Sequence, residues 1–329
     1  MLSVIDIYEY FLKHINDKKS VFDMLEELCP DELTVSNNPD GMSTMDLGLV
    51  VETDRICTKM CDDSFLLKIH SNLFVGNNQY IGIDARSGKS KEALANYAFD
   101  CKYKGFTFTR NLYLSSVKPI AGINKKDNPD IGTAFKVAPD VFATAKHCVT
   151  DLKSFQLLDN DDKPIPLKEV VFSENEKLDI ALLVTEAPVE GNVFYLEEPQ
   201  VLDDIMVMGY PPVTGLLPFL VCEKGQMAGN LKSSVGSNVG ESTDYINGLN
   251  SFLITARVKG GSSGSPVINE YGKVCGIVVS LPVDSNDSDK IDLMGYGACL
   301  PSSYIASMLD GVEVERKLLK QDQKERYYL

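Results

Sequence analysis

From Val4 to Leu28 the apolar residues Val4, Ile7, Tyr8, Phe11, Ile15, Val21, Met24, Leu25 and Leu28 recur at helical intervals, with a break around Asp17 to Ser20. This spacing predicts two short amphipathic helices. Ser20 stands where it caps the second. Pro30 ends that helix after Cys29, because proline restricts the residue before it and brings no backbone donor. Runs rich in β-branched or aromatic residues follow at Leu47 to Val51, Phe65 to His70, Tyr80 to Ile83 and Phe106 to Leu114, divided by Asn, Gly and Asp, and predict strands. Lys91 to Tyr97 predicts one more helix. Residues 1–110 are therefore expected to form a mixed α/β domain.

After Leu114 the texture changes. Short apolar runs recur at Thr133 to Val137, Val141 to Ala145, Ile180 to Val184, Ile205 to Met208, Phe252 to Ala256, Val267 to Ile268 and Cys275 to Val279. Turn residues punctuate them, among them Asn160 to Asp162, Pro211 with Pro212, and Gly260 to Gly264. Such a series predicts an all-β barrel or sandwich from Ser115 to about Leu309. The mixed charges of Glu313 to Arg326 predict a solvated C-terminal helix. The expected domains are 1–110, 111–309 and a tail at 310–329.

The net charge of −15, with no basic patch along the chain, argues against nucleic acid and anionic membrane surfaces as partners. No run reaches the roughly 18 to 20 apolar residues of a membrane span. The N-terminus carries Asp6 and Glu9 and lacks the basic opening of an export signal, so a soluble cytoplasmic protein is expected. The 8 cysteines are scattered without the spacing of a disulfide framework, which favours reduced thiols. Cys57 and Cys61 have no second Cys/His pair at zinc-site spacing, so no metal site is expected. Gly82 to Ser90 has the look of a phosphate-binding loop but one residue too many between its glycines.

Chemistry concentrates in three segments of the β-rich part: FATAKHCV at 142–149, LDIALLV at 178–184 and GGSSGSP at 260–266. A nucleophilic hydroxyl needs an imidazole to take its proton and a carboxylate to orient that imidazole. It also needs backbone N–H donors on a tight turn for the oxyanion. His147, Asp179 and Ser263 supply the side chains, and Gly261 lets the chain curl so that its own N–H and that of Ser263 converge. His14 and His70 compete with His147, but neither lies in the β-rich part. Asp151, Asp161 and Asp162 compete with Asp179, but they sit in polar loops, whereas Asp179 heads an apolar strand.

Taken together, TAKHC resembles the TAAHC of chymotrypsin-like (trypsin-like) serine peptidases, DIALL is nearly their own string, and GSSGSP resembles their GDSGGP. The resemblance covers about residues 115–308, and GTAFKV and YGACLPSSYI make it closest to the compact bacterial, Deg-like variant. It implies an all-β double barrel, here with an additional N-terminal α/β region and a C-terminal helix. It also implies a serine endopeptidase acting on a polypeptide substrate without cofactor or metal, with His147, Asp179 and Ser263 as triad and Gly261 and Ser263 as oxyanion donors. Its specificity pocket would fall on Arg257, on Val279, Ser280 and Leu281, and on Gly297. Arg257 there would favour an acidic side chain, unless it projects into solvent. Ser262 replaces an aspartate of the digestive relatives, Ser265 replaces a glycine, and Cys148 lacks its usual disulfide partner. Residues 1–110 are expected to bind a regulatory partner or restrain the enzyme; the alternative is a silent, peptide-binding scaffold.

Overall fold

The computed structural model describes residues 2–35, 44–71, 76–83, 97–212, 219–231, 249–258, 260–279 and 296–312. The chain divides into two units, Met1–Thr109 and Arg110–Leu329.

The first unit opens with α1 (Val4–Lys13) and, after strand β1 (Lys19–Ser20), α2 (Val21–Leu28). Ser20 caps α2 in a reciprocal box with Asp23: its hydroxyl accepts from the Asp23 N–H while the Asp23 carboxylate accepts from the Ser20 N–H. Then come α3 (Pro30–Leu33), β2 (Thr34–Val35), β3 (Thr44–Met45), α4 (Leu47–Asp62), β4 (Leu66–His70), β5 (Gln79–Gly82), α5 (Ala98–Lys104) and α6 (Phe106–Tyr113), the last running across the unit boundary. Val4, Ile7, Phe11, Val21, Met24, Leu25, Met60 and Tyr80 meet in a core belonging to this unit alone.

Two segments expected as strands are helices. Leu47 to Val51 begins α4, whose N-terminus is capped by the Asp46 carboxylate on the Leu49 N–H. Its buried side chains, Val50, Thr53, Ile56, Cys57 and Met60, form one helical stripe. The apolar cluster at its start hid the longer period. Phe106 to Leu114 alternates aromatic and β-branched residues as a strand would, yet α6 buries Thr109 and Tyr113 one turn apart. Of the helix expected at Lys91 to Tyr97 only Tyr97 is described, and the helix expected at Glu313 to Arg326 lies outside the described residues.

The second unit is built mainly of β-strands. Strands β6 (Val117–Asn124), β7 (Pro129–Ala138) and β8 (Val141–Thr144) lead to a short helix, α7 (His147–Thr150). After it come β9 (Leu152–Leu158), β10 (Pro164–Ile165), β11 (Leu167–Phe172) and β12 (Ala181–Thr185). They form an antiparallel sheet in the order β10-β9-β6-β7-β8-β12-β11. Its edge strands β10 and β11 are separated in sequence only by Pro166. Opposite edges so joined require a rolled sheet, and the bulge at Leu167/Glu169 helps it turn. This is the first barrel.

The second barrel closes fully, in the order β13-β14-β15-β18-β17-β16, from β13 (Asp204–Gly209), β14 (Val221–Leu231), β15 (Ser251–Ile254), β16 (Pro266–Asn269), β17 (Val274–Val279) and β18 (Gly297–Pro301). Phe252, Ile254, Val267, Val278 and Cys299 fill it. A final helix, α8, occupies 302–312. The chymotrypsin-like double barrel, with N-terminal helices and a C-terminal helix, is the fold. Among the described residues no helix is long and apolar enough to cross a membrane.

Candidate active site

Strand pairing brings His147 and Asp179 together. In the antiparallel register of β8 and β12, Ala181 faces Thr144. Two residues before Ala181 the chain therefore reaches the start of α7. There the Asp179 carboxylate accepts twice from His147: from its backbone N–H at 2.9 Å (Oδ1) and from its Nδ1 at 2.7 Å (Oδ2). A carboxylate in this role only accepts, so Nδ1 carries the proton and a neutral ring keeps its Nε2 lone pair free. The side chains are 30% and 23% exposed, open enough to be reached yet sheltered from full hydration. Burial pulls the imidazole pKa down, but the hydrogen bond to Asp179 and the neighbouring Cys148 outweigh it and hold the pKa well above the ordinary 6.5.

Ser263 sits on a turn between β15 and β16. Residues 261, 262, 264 and 265 are buried, whereas Ser263 is partly exposed. The turn closes through the Ser265 N–H on the Ser262 carbonyl at 3.0 Å, and the Gly264 N–H reaches the Val278 carbonyl of β17 at 2.8 Å. It is tied to the His147 side of the site as well. The Ser263 carbonyl accepts from the Thr133 N–H at 3.0 Å and from the Cys148 thiol at 3.5 Å. Ser263 is thus anchored to the residue that follows His147.

Both glycines of the turn are required by space. Gly264 has φ +83°, and a Cβ there would overlap the Thr133 carbonyl and lie 2.6 Å from the Thr144 hydroxyl. Gly261 has φ +78° and backs against the Tyr210 carbonyl and Pro212, so a Cβ would lie 2.6 and 2.5 Å from them. Gly264→Ala is expected to destabilise the second unit by several kcal/mol, combining left-handed strain with backbone overlap. Thermal unfolding checks this; a melting temperature within a degree of wild type would contradict the packing described.

Sequence inspection missed Thr133, fully buried on β7. Its hydroxyl donates to the Gly261 carbonyl at 2.9 Å and accepts from the Tyr210 N–H at 3.0 Å, while its own carbonyl accepts from the Thr144 hydroxyl at 2.7 Å. A threonine in an apolar strand is ordinarily a β-former, and its partners are remote in sequence. The only signal was its place in GTAFKV.

The expected specificity residues are only partly described. Arg257 is exposed. Val279 is buried at the end of β17, and Gly297 opens β18 with Val258 and Ile254 packed over the position of its missing side chain. Ser280 and Leu281 lie outside the described residues. All eight cysteines are free, Cys148 included. A cavity of about 610 Å³, walled by Lys118, Asp159, Pro166 and Glu190 among others, contains none of the residues above.

Residues 132–277 match the trypsin-like peptidase domain. Serine protease Rv3671c of Mycobacterium tuberculosis is 27% identical over 160 residues, which are 48% of this chain and 38% of that protein. The chain thus spans well under half of that relative. Among solved structures, the active form of the Rv3671c protease has 23% identity and a TM-score of 0.47, covering 61% of this chain and 82% of that one. The serine endoprotease of Yersinia pestis has 16% identity and a TM-score of 0.44, covering 62% and 64%.

Proposed function

We propose that the chain is a serine endopeptidase that cuts polypeptides through an acyl-enzyme on Ser263. One observation carries the reading: Asp179 grips His147 by two hydrogen bonds beside a turn in which Ser263 is partly exposed between buried neighbours.

In the proposed cycle, Nε2 of neutral His147 takes the Ser263 hydroxyl proton as the oxygen attacks the scissile carbonyl carbon. The carbonyl electron pair moves to oxygen, which the Gly261 and Ser263 N–H groups stabilise. On collapse the C–N bond breaks and the imidazolium gives its proton to the departing amine. Water then repeats the sequence on the ester, releasing the acid and restoring Ser263. Asp179 holds the imidazole in the required tautomer and balances its charge. The machinery calls for no cofactor.

Two finer assignments belong to the same proposal. Residues 1–110 restrain the enzyme or recognise a partner, a role consistent with the separate core of the first unit. The eight free thiols suit the reducing cytoplasm.

The test is digestion of an unfolded protein substrate, with fragments read by mass spectrometry, by the full chain and by a form lacking residues 1–110. Internal cleavage that stops with Ser263→Ala supports the endopeptidase; a wild-type chain that cuts nothing in either form points to a binding scaffold. Equal rates and cleavage sites in the two forms would remove the role given to residues 1–110.

A further inference from the structure

Resting on the endopeptidase reading, we infer that Thr133 is the positioning residue that sets the oxyanion hole. It clamps the Gly261–Ser263 backbone from the other barrel by neutral hydrogen bonds.

The oxyanion donors are two peptide N–H groups, and a peptide plane turns as a unit. The plane carrying the Ser263 N–H also carries the Ser262 carbonyl, which is held by the Ser265 N–H at 3.0 Å. In a trans peptide the N–H then faces the opposite way, out of the turn. The planes on either side of it carry the Gly261 and Ser263 carbonyls. Thr133 holds both, the first through its hydroxyl at 2.9 Å and the second through its N–H at 3.0 Å. One residue of β7 therefore brackets the donor peptide.

The Gly261 N–H belongs to the plane between Gly260 and Gly261. Glycine on each side makes that plane intrinsically easy to rotate. Fixing the next carbonyl limits this freedom, and the Tyr210 carbonyl with Pro211 and Pro212 closes the space behind. The hydroxyl's direction is itself fixed, because it accepts from the Tyr210 N–H while donating to Gly261. Full burial of Thr133 excludes water as a competing partner. Residues 260–265, Gly-Gly-Ser-Ser-Gly-Ser, contain no charged side chain that would order the turn by an ion pair.

The test compares wild type with Thr133→Val, which replaces the hydroxyl by a methyl group, and Thr133→Ser, which retains it. The probe is a fluorophosphonate, whose reaction at a serine also places negative charge on an oxygen that the donors stabilise. The maximal labelling rate at Ser263 is expected to fall about 10- to 100-fold in Thr133→Val, below the loss for deleting a donor outright. The concentration giving half-maximal rate should change little, and Thr133→Ser should recover most of the rate. If the valine variant does not fold, Thr133→Ala carries the same comparison without a methyl group at the hydroxyl position. A folded variant without the hydroxyl that labels within threefold of wild type overturns the inference while leaving the peptidase reading intact. A serine variant as slow as the valine variant also overturns it. A wild-type protein that is not labelled at all overturns the reading beneath it, and the inference falls with it.

Discussion

Ser263→Ala and His147→Ala are each expected to lower kcat by about four to six orders of magnitude, and the double variant by no more than either alone. The reason is that hydroxyl and imidazole act as one device: without the base the hydroxyl stays protonated, and without the hydroxyl the base has nothing to activate. Additive losses would mean that the two act in separate steps. The fold should survive both changes. Ser263 is held through its backbone carbonyl, by Thr133 and Cys148, and the contacts fixing the chain at His147 include its backbone N–H to Asp179. Thermal unfolding should therefore move little while turnover disappears.

Asp179→Asn is expected to cost about four orders of magnitude in kcat, the scale seen when the orienting carboxylate of such a triad becomes an amide. An amide can present its NH₂ to Nδ1, which favours the tautomer with the proton on Nε2 and removes the lone pair that must face Ser263. The pH profile gives a separate reading. His147 is held above 6.5 and must be neutral to act as base, so the rate should rise with pH along an acid limb that lies above 6.5. Losing the Asp179 charge removes an interaction that raises the His147 pKa, so the residual activity of the variant should begin at lower pH. Stability runs the other way. A raised folded pKa stabilises fully below the unfolded value near 6.5 and loses that contribution as pH rises through the folded value. The variant should therefore be least stable, relative to wild type, in acid. An unshifted limb with unshifted stability would dissociate Asp179 from His147.

The three segments proposed to carry the triad stood out because each places a reactive residue type beside an apolar strand or in a glycine turn, features that survive without knowledge of the fold. The barrels were legible from the recurrence of short apolar runs after Leu114. What escaped was decided by longer periods or distant partners. The five residues Leu47 to Val51 read as a strand until the stripe through Met60 is included. Phe106 to Leu114 has strand composition, but Thr109 and Tyr113 are buried one turn apart. Thr133 escaped for a different reason: its side chain serves Gly261 and Tyr210, which only the meeting of two barrels brings within reach. The exposure of Arg257 likewise depends on where β15 ends, which no local pattern specifies.

The central claim is an assembled nucleophile at Ser263, and its most direct test is labelling of the full chain with a fluorophosphonate probe, the modified residue being located by mass spectrometry. The account predicts a single stable adduct on Ser263 that disappears in Ser263→Ala and is lost in His147→Ala, although the latter keeps the serine. Absence of labelling in the folded wild-type chain, or labelling undiminished in His147→Ala, would contradict it.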